Sequence, residues 1–252
     1  MANNEQKDKE KWDALADKKS LLRMCHLLEP QENEIVCDVG TGKGNAALCI
    51  SPFVDKVLAI DVVSPGEEVF KGKNIDFLLH NMDEGILPRD DQSQDIVICR
   101  AALHHFEQKQ RFFQESYRVL RPGGRLYIMD PIMSDQLRTA WSIISRIAES
   151  DYRDYCTEQE LLGGIIGCGF DIRYKGEFLF PRILRDWLNT KINLMDSAGK
   201  EMNNPFVDHI RKTIWDIVFY LFDEPLQEEL HLNKQSTDGW FAYNCIEVVA
   251  VK

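Results

Sequence analysis

The chain reads as an α/β protein built on a doubly wound, mostly parallel sheet. Three observations predict it. Apolar runs of strand length recur at 35–39, 56–60, 75–79, 95–99 and 125–129. Helix-forming stretches lie between most of them, at 44–50, 65–71 and 108–120. The runs themselves are nearly continuous, as in Ile96-Val97-Ile98-Cys99 and Leu126-Tyr127-Ile128-Met129, which is the pattern of strands covered on both faces. Strands alternating with helices point to parallel crossovers.

Residues 1–11 are polar and charged, carry no apolar leader core, and read as frayed. From 12 to 28 the residues Trp12, Leu15, Ala16, Leu21, Leu22, Met24, Leu27 and Leu28 approximate helical spacing, and Pro30 follows the end. The alternation of strands and helices then begins. The helix at 44–50 opens from a glycine loop, and the one at 65–71 has the weakest pattern. The helix over 108–120 ends at Leu120. Arg121-Pro122-Gly123-Gly124 reads as the turn that stops it and launches the next strand. After Asp130 the rhythm changes. Residues 135–149 and 157–166 read as helices, and Gly167-Cys168-Gly169-Phe170 turns into a strand at about 170–174. The stretch 182–232 reads as mostly helical, with breaks at Gly199, Pro205 and Pro225. Asp238-Gly239 is a turn signal before the last strand, Tyr243 to Val251. The expected organisation is one domain. Its core is 31–135 with 166–180 and 240–252, and its helical cap is 136–165 and 182–235.

With 252 residues the chain fits one large domain. Its 30 basic and 41 acidic residues give a formal charge of −11, which argues against a broad nucleic-acid surface and against attraction to an anionic membrane. Seven cysteines are scattered without a C-x-x-C pair, which predicts no disulfide framework and a reducing compartment. No apolar run is long enough to span a bilayer, so the cytoplasm is the expected location. The six histidines show no metal-ligand spacing, and no metal is expected.

The run Ile35-Val36-Cys37-Asp38-Val39-Gly40-Thr41-Gly42-Lys43-Gly44 carries the chemistry. An apolar strand ends in an acid, and a loop with glycine at every second position leads into a helix. Glycines let the backbone turn sharply and approach a ligand. A dinucleotide loop would read G-x-G-x-x-G. Here the third glycine comes one place early and Asn45 stands in its position. Asp38 would also repel a pyrophosphate. S-adenosylmethionine (SAM) fits better, since it carries a sulfonium, an ammonium and one carboxylate. A second strand, Val57-Leu58-Ala59-Ile60, ends in Asp61, seventeen residues beyond Gly44, where a carboxylate accepts hydrogen bonds from ribose hydroxyls.

Two further blocks bear a resemblance. They are Asp95-Ile96-Val97-Ile98-Cys99-Arg100-Ala101-Ala102-Leu103-His104-His105-Phe106 and Arg118-Val119-Leu120-Arg121-Pro122-Gly123-Gly124-Arg125-Leu126. They resemble the class I SAM-dependent methyltransferases, in their small-molecule branch with the ubiquinone/menaquinone C-methyltransferases. The resemblance is close over 35–131, looser over 12–30 and 150–180, and fades over 182–240. It implies a Rossmann-like seven-stranded sheet in the order 3-2-1-4-5-7-6 with the last strand antiparallel. It also implies that Asp38, Gly40, Thr41, Gly42 and Gly44 border the methionine part of SAM, that Asp61 holds the ribose and that Val62 flanks the adenine. The adenine contact falls at Asn81-Met82 or Met82-Asp83, with Asn81 where relatives carry an acid. Arg100 would lie beside the methionine end, and S-adenosylhomocysteine would be the product.

Methyl transfer is an in-line displacement, so the enzyme must hold the acceptor close and collinear and, for an acidic acceptor, remove a proton. His104 and His105 are the base candidates, or else they organise the loop after the fourth strand. Tyr152-Arg153-Asp154-Tyr155 falls where the resemblance implies a short motif covering the pocket, so that Tyr152 or Arg153 contacts the acceptor or the cofactor carboxylate, or else it is an exposed polar turn before a helix. Trp12 either closes over the cofactor or packs its helix on the sheet. Trp187, Trp215, Phe219 and Trp240 either line an apolar acceptor pocket or pack the cap. Asp130-Pro131-Ile132-Met133 stands where an Asn-Pro-Pro-Tyr motif would indicate a nucleobase or glutamine amide, and no Pro-Cys pair suggests a cysteine nucleophile. The expected activity is therefore methyl transfer to O, C or N of a small molecule, with neither nucleic acid nor membrane as partner. Two alternatives stay open. One is a SAM-binding regulatory or partner protein without transfer, favoured by Asn81 and the weakly matching cap. The other is a nicotinamide-dependent oxidoreductase, disfavoured by Asp38 and Gly44.

Overall fold

The computed structural model describes residues 17–148, 154–183, 209, 213, 224–231 and 240–252. Seven strands form one sheet: β1 (Ile35–Val39), β2 (Lys56–Asp61), β3 (Ile75–Leu79), β4 (Gln94–Arg100), β5 (Leu120–Ile132), β6 (Asp171–Ile183) and β7 (Trp240–Val251). Their order is β3-β2-β1-β4-β5-β7-β6, as the resemblance implied. β1 pairs in parallel with β2 and β4, β2 with β3, and β4 with β5. Gly123 and Gly124 exchange backbone hydrogen bonds with Lys252, while Tyr127, further along β5, reaches back to Glu247. β7 therefore runs against β5.

The chain divides into two compact units. The first holds residues up to Asp130, Glu158–Glu177 and Ile246–Lys252. Its helices are α1 (helical from 17 to 28), α2 (Asn45–Ile50), α3 (Lys109–Val119) and α5 (Glu158–Gly167). The central strands form the core because they are apolar on both faces: Val36, Cys37, Val57, Ala59, Ile96, Ile98, Leu126 and Ile128 are buried. On α3 the residues Phe112, Phe113, Ser116 and Val119 turn inward, the spacing of one helical stripe. Buried Glu115 shares that face. It accepts the Leu87 N–H and pairs with Arg118 one turn later. Arg118 also reaches Asp91 and the carbonyls of Leu87 and Arg89, so one guanidinium pins the whole β3–β4 connection to α3.

The second unit holds Pro131–Thr157 and Phe178–Cys245. Among its described residues, α4 (Asp135–Ala148) and α6 (Glu224–Glu229) are helical. Ser134 caps α4 by accepting the Leu137 N–H, and its hydroxyl and N–H both bond to Glu229. Leu137 and Trp141 are buried on α4, as are Leu226 and Leu230 at α6. Arg138 pairs with Asp135 and Asp154.

Three expectations are corrected. Residues 65–71 form turns, not a helix, since Pro65 and the left-handed Gly66 and Gly72 (φ 104° and 69°) bracket the stretch too closely for propagation. Arg121–Gly124 is no turn between helix and strand. The chain is extended from Leu120, and Gly123 (φ 81°) makes a kink within β5 whose ladder to Lys252 is kept. β6 runs on to Ile183, well past 174, which also removes 182–183 from the expected helical stretch. Pro225 sits in the first turn of α6, where its missing N–H costs nothing, and the residues at 214–223 lie outside the described ones. Gly199 and Pro205 lie outside the described residues.

Candidate functional site

The site is built at the carboxyl ends of β1, β2 and β4, where parallel sheets place their ligands. β1 ends in Asp38-Val39, and the loop Gly40–Gly44 leads into α2. Gly40 and Thr41 donate their N–H groups to the Ile60 carbonyl of β2, which draws the loop over the strand ends. Two glycines are needed on steric grounds. A Cβ on Gly40 (φ 73°) would stand 2.4 Å from the Ala102 Cβ, and one on Gly44 (φ 83°) 2.5 Å from the Phe70 ring. Gly42, between them, faces open space, with nothing within 4 Å of where its Cβ would be.

Asp38 is 1% exposed. Its Oδ2 accepts from the Thr41 hydroxyl at 2.6 Å and from the Ala47 N–H at 3.1 Å. Burial pushes its carboxyl up to about 6. The two hydrogen bonds and the charge of Arg100 oppose that rise, and Asp61 adds to it. Asp61 accepts the Gly42 N–H on one oxygen, at 2.7 Å, and the Val63 N–H on the other, at 3.0 Å. It therefore holds the tip of the glycine loop while standing at the edge of the site. Val62 beside it is exposed.

Arg100 ends β4 and is nearly buried, with its Nη2 donating to Asp17 at 2.5 Å and to Ser20 at 3.3 Å. Asp17 also accepts from the Asn45 side chain, so α1 is tied both to the strand end and to the start of α2. The Arg100 Nε is buried with no partner among the described residues. The next residue, Ala101, has φ 52°, a left-handed conformation that costs a residue with a Cβ roughly 1–2 kcal/mol. It turns the chain so that Ala102 meets Gly40.

His104 and His105 follow in a short 3-10 turn, with their rings 4.2 Å apart. His104 is buried, and its Nδ1 lies 2.9 Å from Oδ1 of Asp130, which is itself 2% exposed. Facing a carboxylate, Nδ1 is the ring nitrogen that donates. Beyond β3, Met82 is buried, and Asn81 accepts the Asp83 N–H and donates to Glu84. Asp83 accepts the N–H groups of Glu107 and Gln108, which ties the segment after β3 to the segment leading into α3. Cys37 and Cys99, in the strands beneath, are fully buried. Burial pushes both thiols up, Cys37 to about 12, which leaves them inert.

The structure thus brings together Asp38, the glycine loop, Asp61, Arg100, His104 and His105, with Asn81-Met82 at the neighbouring strand end. Trp12, Tyr152, Arg153, Trp187, Trp215 and Phe219 lie outside the described residues, and Trp240 opens β7. Three residues were missed by the sequence reading: Asp130, Asp17 and Ala101. Asp130 carried a signal, since it ends the apolar run Leu126–Met129 as Asp38 and Asp61 end theirs. A cavity of about 620 Å³ lined by Leu58, Phe70, Ile75, Phe77 and Arg89 lies along β2 and β3 and includes none of the loop glycines. Among the described residues no helix is long and apolar enough to cross a membrane.

Residues 37–128 match a family model described as a methyltransferase domain. The chain is 33% identical over 122 residues to the uncharacterized methyltransferase YcgJ of Bacillus subtilis, a stretch covering 46% of this chain and 47% of that protein. It is 30% identical over 125 residues to the demethylmenaquinone methyltransferase of Chlorobaculum tepidum, covering 48% and 49%. The chain spans less than half the length of these curated relatives. The crystal structure of YcgJ superposes with a TM-score of 0.77 at 20% identity, covering 93% of this chain and 98% of that one. A phospholethanolamine N-methyltransferase of Haemonchus contortus, solved with phosphomonomethylethanolamine and S-adenosylhomocysteine, superposes with a TM-score of 0.55 at 16% identity, covering 93% and 52%. At these identities the structural likeness shows the fold.

Proposed function

We propose that this chain, which over residues 37–128 belongs to the class I SAM-dependent methyltransferases, transfers a methyl group from SAM to O, C or N of a small molecule. The observation that carries the reading is a pair of opposite charges, buried Asp38 and nearly buried Arg100, flanking an open glycine loop whose tip is held by Asp61. A zwitterionic amino-acid end suits such a pair. Asp38 would suit the ammonium, and the Arg100 Nε, without a partner among the described residues, would be satisfied by a carboxylate. Gly42 leaves room for close approach. Asp61, a carboxylate with lone pairs beyond its two N–H bonds, would receive ribose hydroxyls. Val62 and Asn81-Met82, or Met82-Asp83, would flank the base.

When bound, SAM supplies a methyl group already activated on a sulfonium. The protein's part is to position the acceptor and remove its proton. His104 is suited to that, because Asp130 holds its imidazole in one tautomer and would stabilise the imidazolium formed on proton uptake. His105 stacks beside it and would shape the acceptor side. A net charge of −11 supports a small-molecule acceptor over nucleic acid. The scattered cysteines support the cytoplasm as its location.

Titration calorimetry tests the cofactor. SAM and S-adenosylhomocysteine should bind one per chain and NAD should not. Asp61→Ala should weaken SAM binding by about 100-fold, the loss of charge-assisted hydrogen bonds worth about 2–3 kcal/mol. No heat with SAM, or equal affinity in Asp61→Ala, would overturn the reading.

A further inference from the structure

We infer that Cys25 and Cys49 form a redox-active dithiol that closes reversibly to a disulfide between α1 and α2. Their Sγ atoms lie 3.6 Å apart. Both are half-buried, whereas Cys37, Cys99, Cys156 and Cys245 are buried. A disulfide brings its sulfurs to about 2.05 Å, so the pair needs only a small closing motion. The helices are already held side by side, since Asp17 at the described start of α1 accepts from Asn45 at the start of α2.

The two thiols are not equivalent. Either Sγ can donate the hydrogen bond between them, but the charge of Arg100 reaches Cys49 and favours the thiolate there, while the shared bond and burial push Cys25 up. Cys49 is therefore the attacking thiolate and Cys25 the resolving thiol. The oxidant is a hydroperoxide. The Cys49 thiolate attacks one peroxide oxygen, the O–O bond breaks, and hydroxide leaves to be protonated to water. This oxidises Cys49 to a sulfenic acid. The Cys25 sulfur then attacks the Cys49 sulfur, the S–O bond breaks, and the hydroxyl leaves as a second water with the Cys25 proton. Two thiols and one hydrogen peroxide give one disulfide and two waters. A small dithiol reverses the step by exchange and is itself oxidised. The link would join the helix that carries Asp17 to the helix that opens from the glycine loop.

The test needs no cofactor, so its failure is separate from any failure of the methyl-transfer reading. The reduced protein is treated with one equivalent of hydrogen peroxide, its free thiols are counted, and its peptides are mapped by mass spectrometry. Two of the seven thiols should disappear, a Cys25–Cys49 linked peptide should be found, and dithiothreitol should restore both thiols. The melting temperature of the oxidised form should rise by about 5–10 °C. Cys25→Ser should stop the reaction at a Cys49 sulfenic acid, trapped by dimedone. Half-buried Cys168, whose Sγ accepts from Gln110, is the internal reference. Oxidation of Cys168 before the pair, cross-linking between chains, or absence of the linked peptide from the intact protein would overturn the inference, whether or not the variant folds.

Discussion

Replacing Asp38 by Asn should stabilise the fold at neutral pH, and the gain should depend on pH in a defined sense. Both hydrogen bonds to Asp38 end on one oxygen, Oδ2, so an Asn carbonyl in the same place accepts both. What changes is the charge. The folded carboxyl is raised from 3.8 to about 6, chiefly by burial. A group whose folded value is raised adds stability fully below its unfolded value and loses it as pH rises through the folded one. The buried carboxylate therefore costs the wild type nothing in acid. Linkage puts the cost at about 2 kcal/mol near pH 5 and about 3 kcal/mol above about pH 7. Asn cannot ionise and is spared that cost. Urea unfolding of both proteins at about pH 5 and about pH 7.5 measures the difference. The advantage of Asp38→Asn should grow by about 1 kcal/mol between the two, while its affinity for SAM should fall. A stability difference that is flat across that interval, or that shrinks as pH rises, would refute the burial argument.

Gly44→Ala should lower stability by about 2–4 kcal/mol, from a left-handed φ and a Cβ driven into Phe70. Phe70→Leu should recover part of that in the double variant, so strictly additive unfolding energies would show that the ring is not the obstacle. Arg118→Ala should cost about 3 kcal/mol in chemical denaturation, because Glu115 stays buried without its cation. A change within about 0.5 kcal/mol would mean that the pair behaves as a surface one. Asp130→Asn should lower kcat with little change in KM if it positions His104. A rise in KM alone would make the pair a binding element.

Most of the fold is legible because parallel strands announce themselves as unbroken apolar runs. What escaped did so for local reasons. β6 carries a clean period-two pattern, with Ile172, Tyr174, Phe178 and Phe180 less exposed than Asp171, Arg173, Lys175, Glu177 and Leu179. Gly176 interrupts it, and a glycine in a strand reads as an end. The structure shows why it is there. A Cβ on Gly176 would stand 2.2 Å from the Tyr174 hydroxyl and 2.8 Å from Arg23, two groups that hydrogen-bond to each other. The glycine clears space for a tertiary contact with a partner 151 residues away in sequence, a fact no window of neighbours contains. Ala101 is the opposite case. Nothing in its identity signals a left-handed residue, and only the proximity of Gly40 explains the turn.

The site itself was written three times in one pattern, an apolar strand ending in aspartate. The pattern cannot say what each acid does, because the differences lie in what the neighbouring chain offers. Asp38 is sealed under the loop by Thr41 and Ala47, so its charge is costly and it is the acid that would gain most from a cation. Asp61 stands at the rim and spends one oxygen on each of two N–H groups, so it shapes the loop before it touches any ligand. Asp130 lies on a strand two places removed in the sheet from β1. Among the described residues its partner is an imidazole, and through that ring it would act on chemistry. The three substitutions should therefore separate by readout. Asp38 should move the pH dependence of stability, Asp61 the affinity for SAM, and Asp130 the turnover of bound substrate. If all three moved only affinity, the carboxylates would be one electrostatic patch, and the distinct hydrogen-bond partners would carry no separate function.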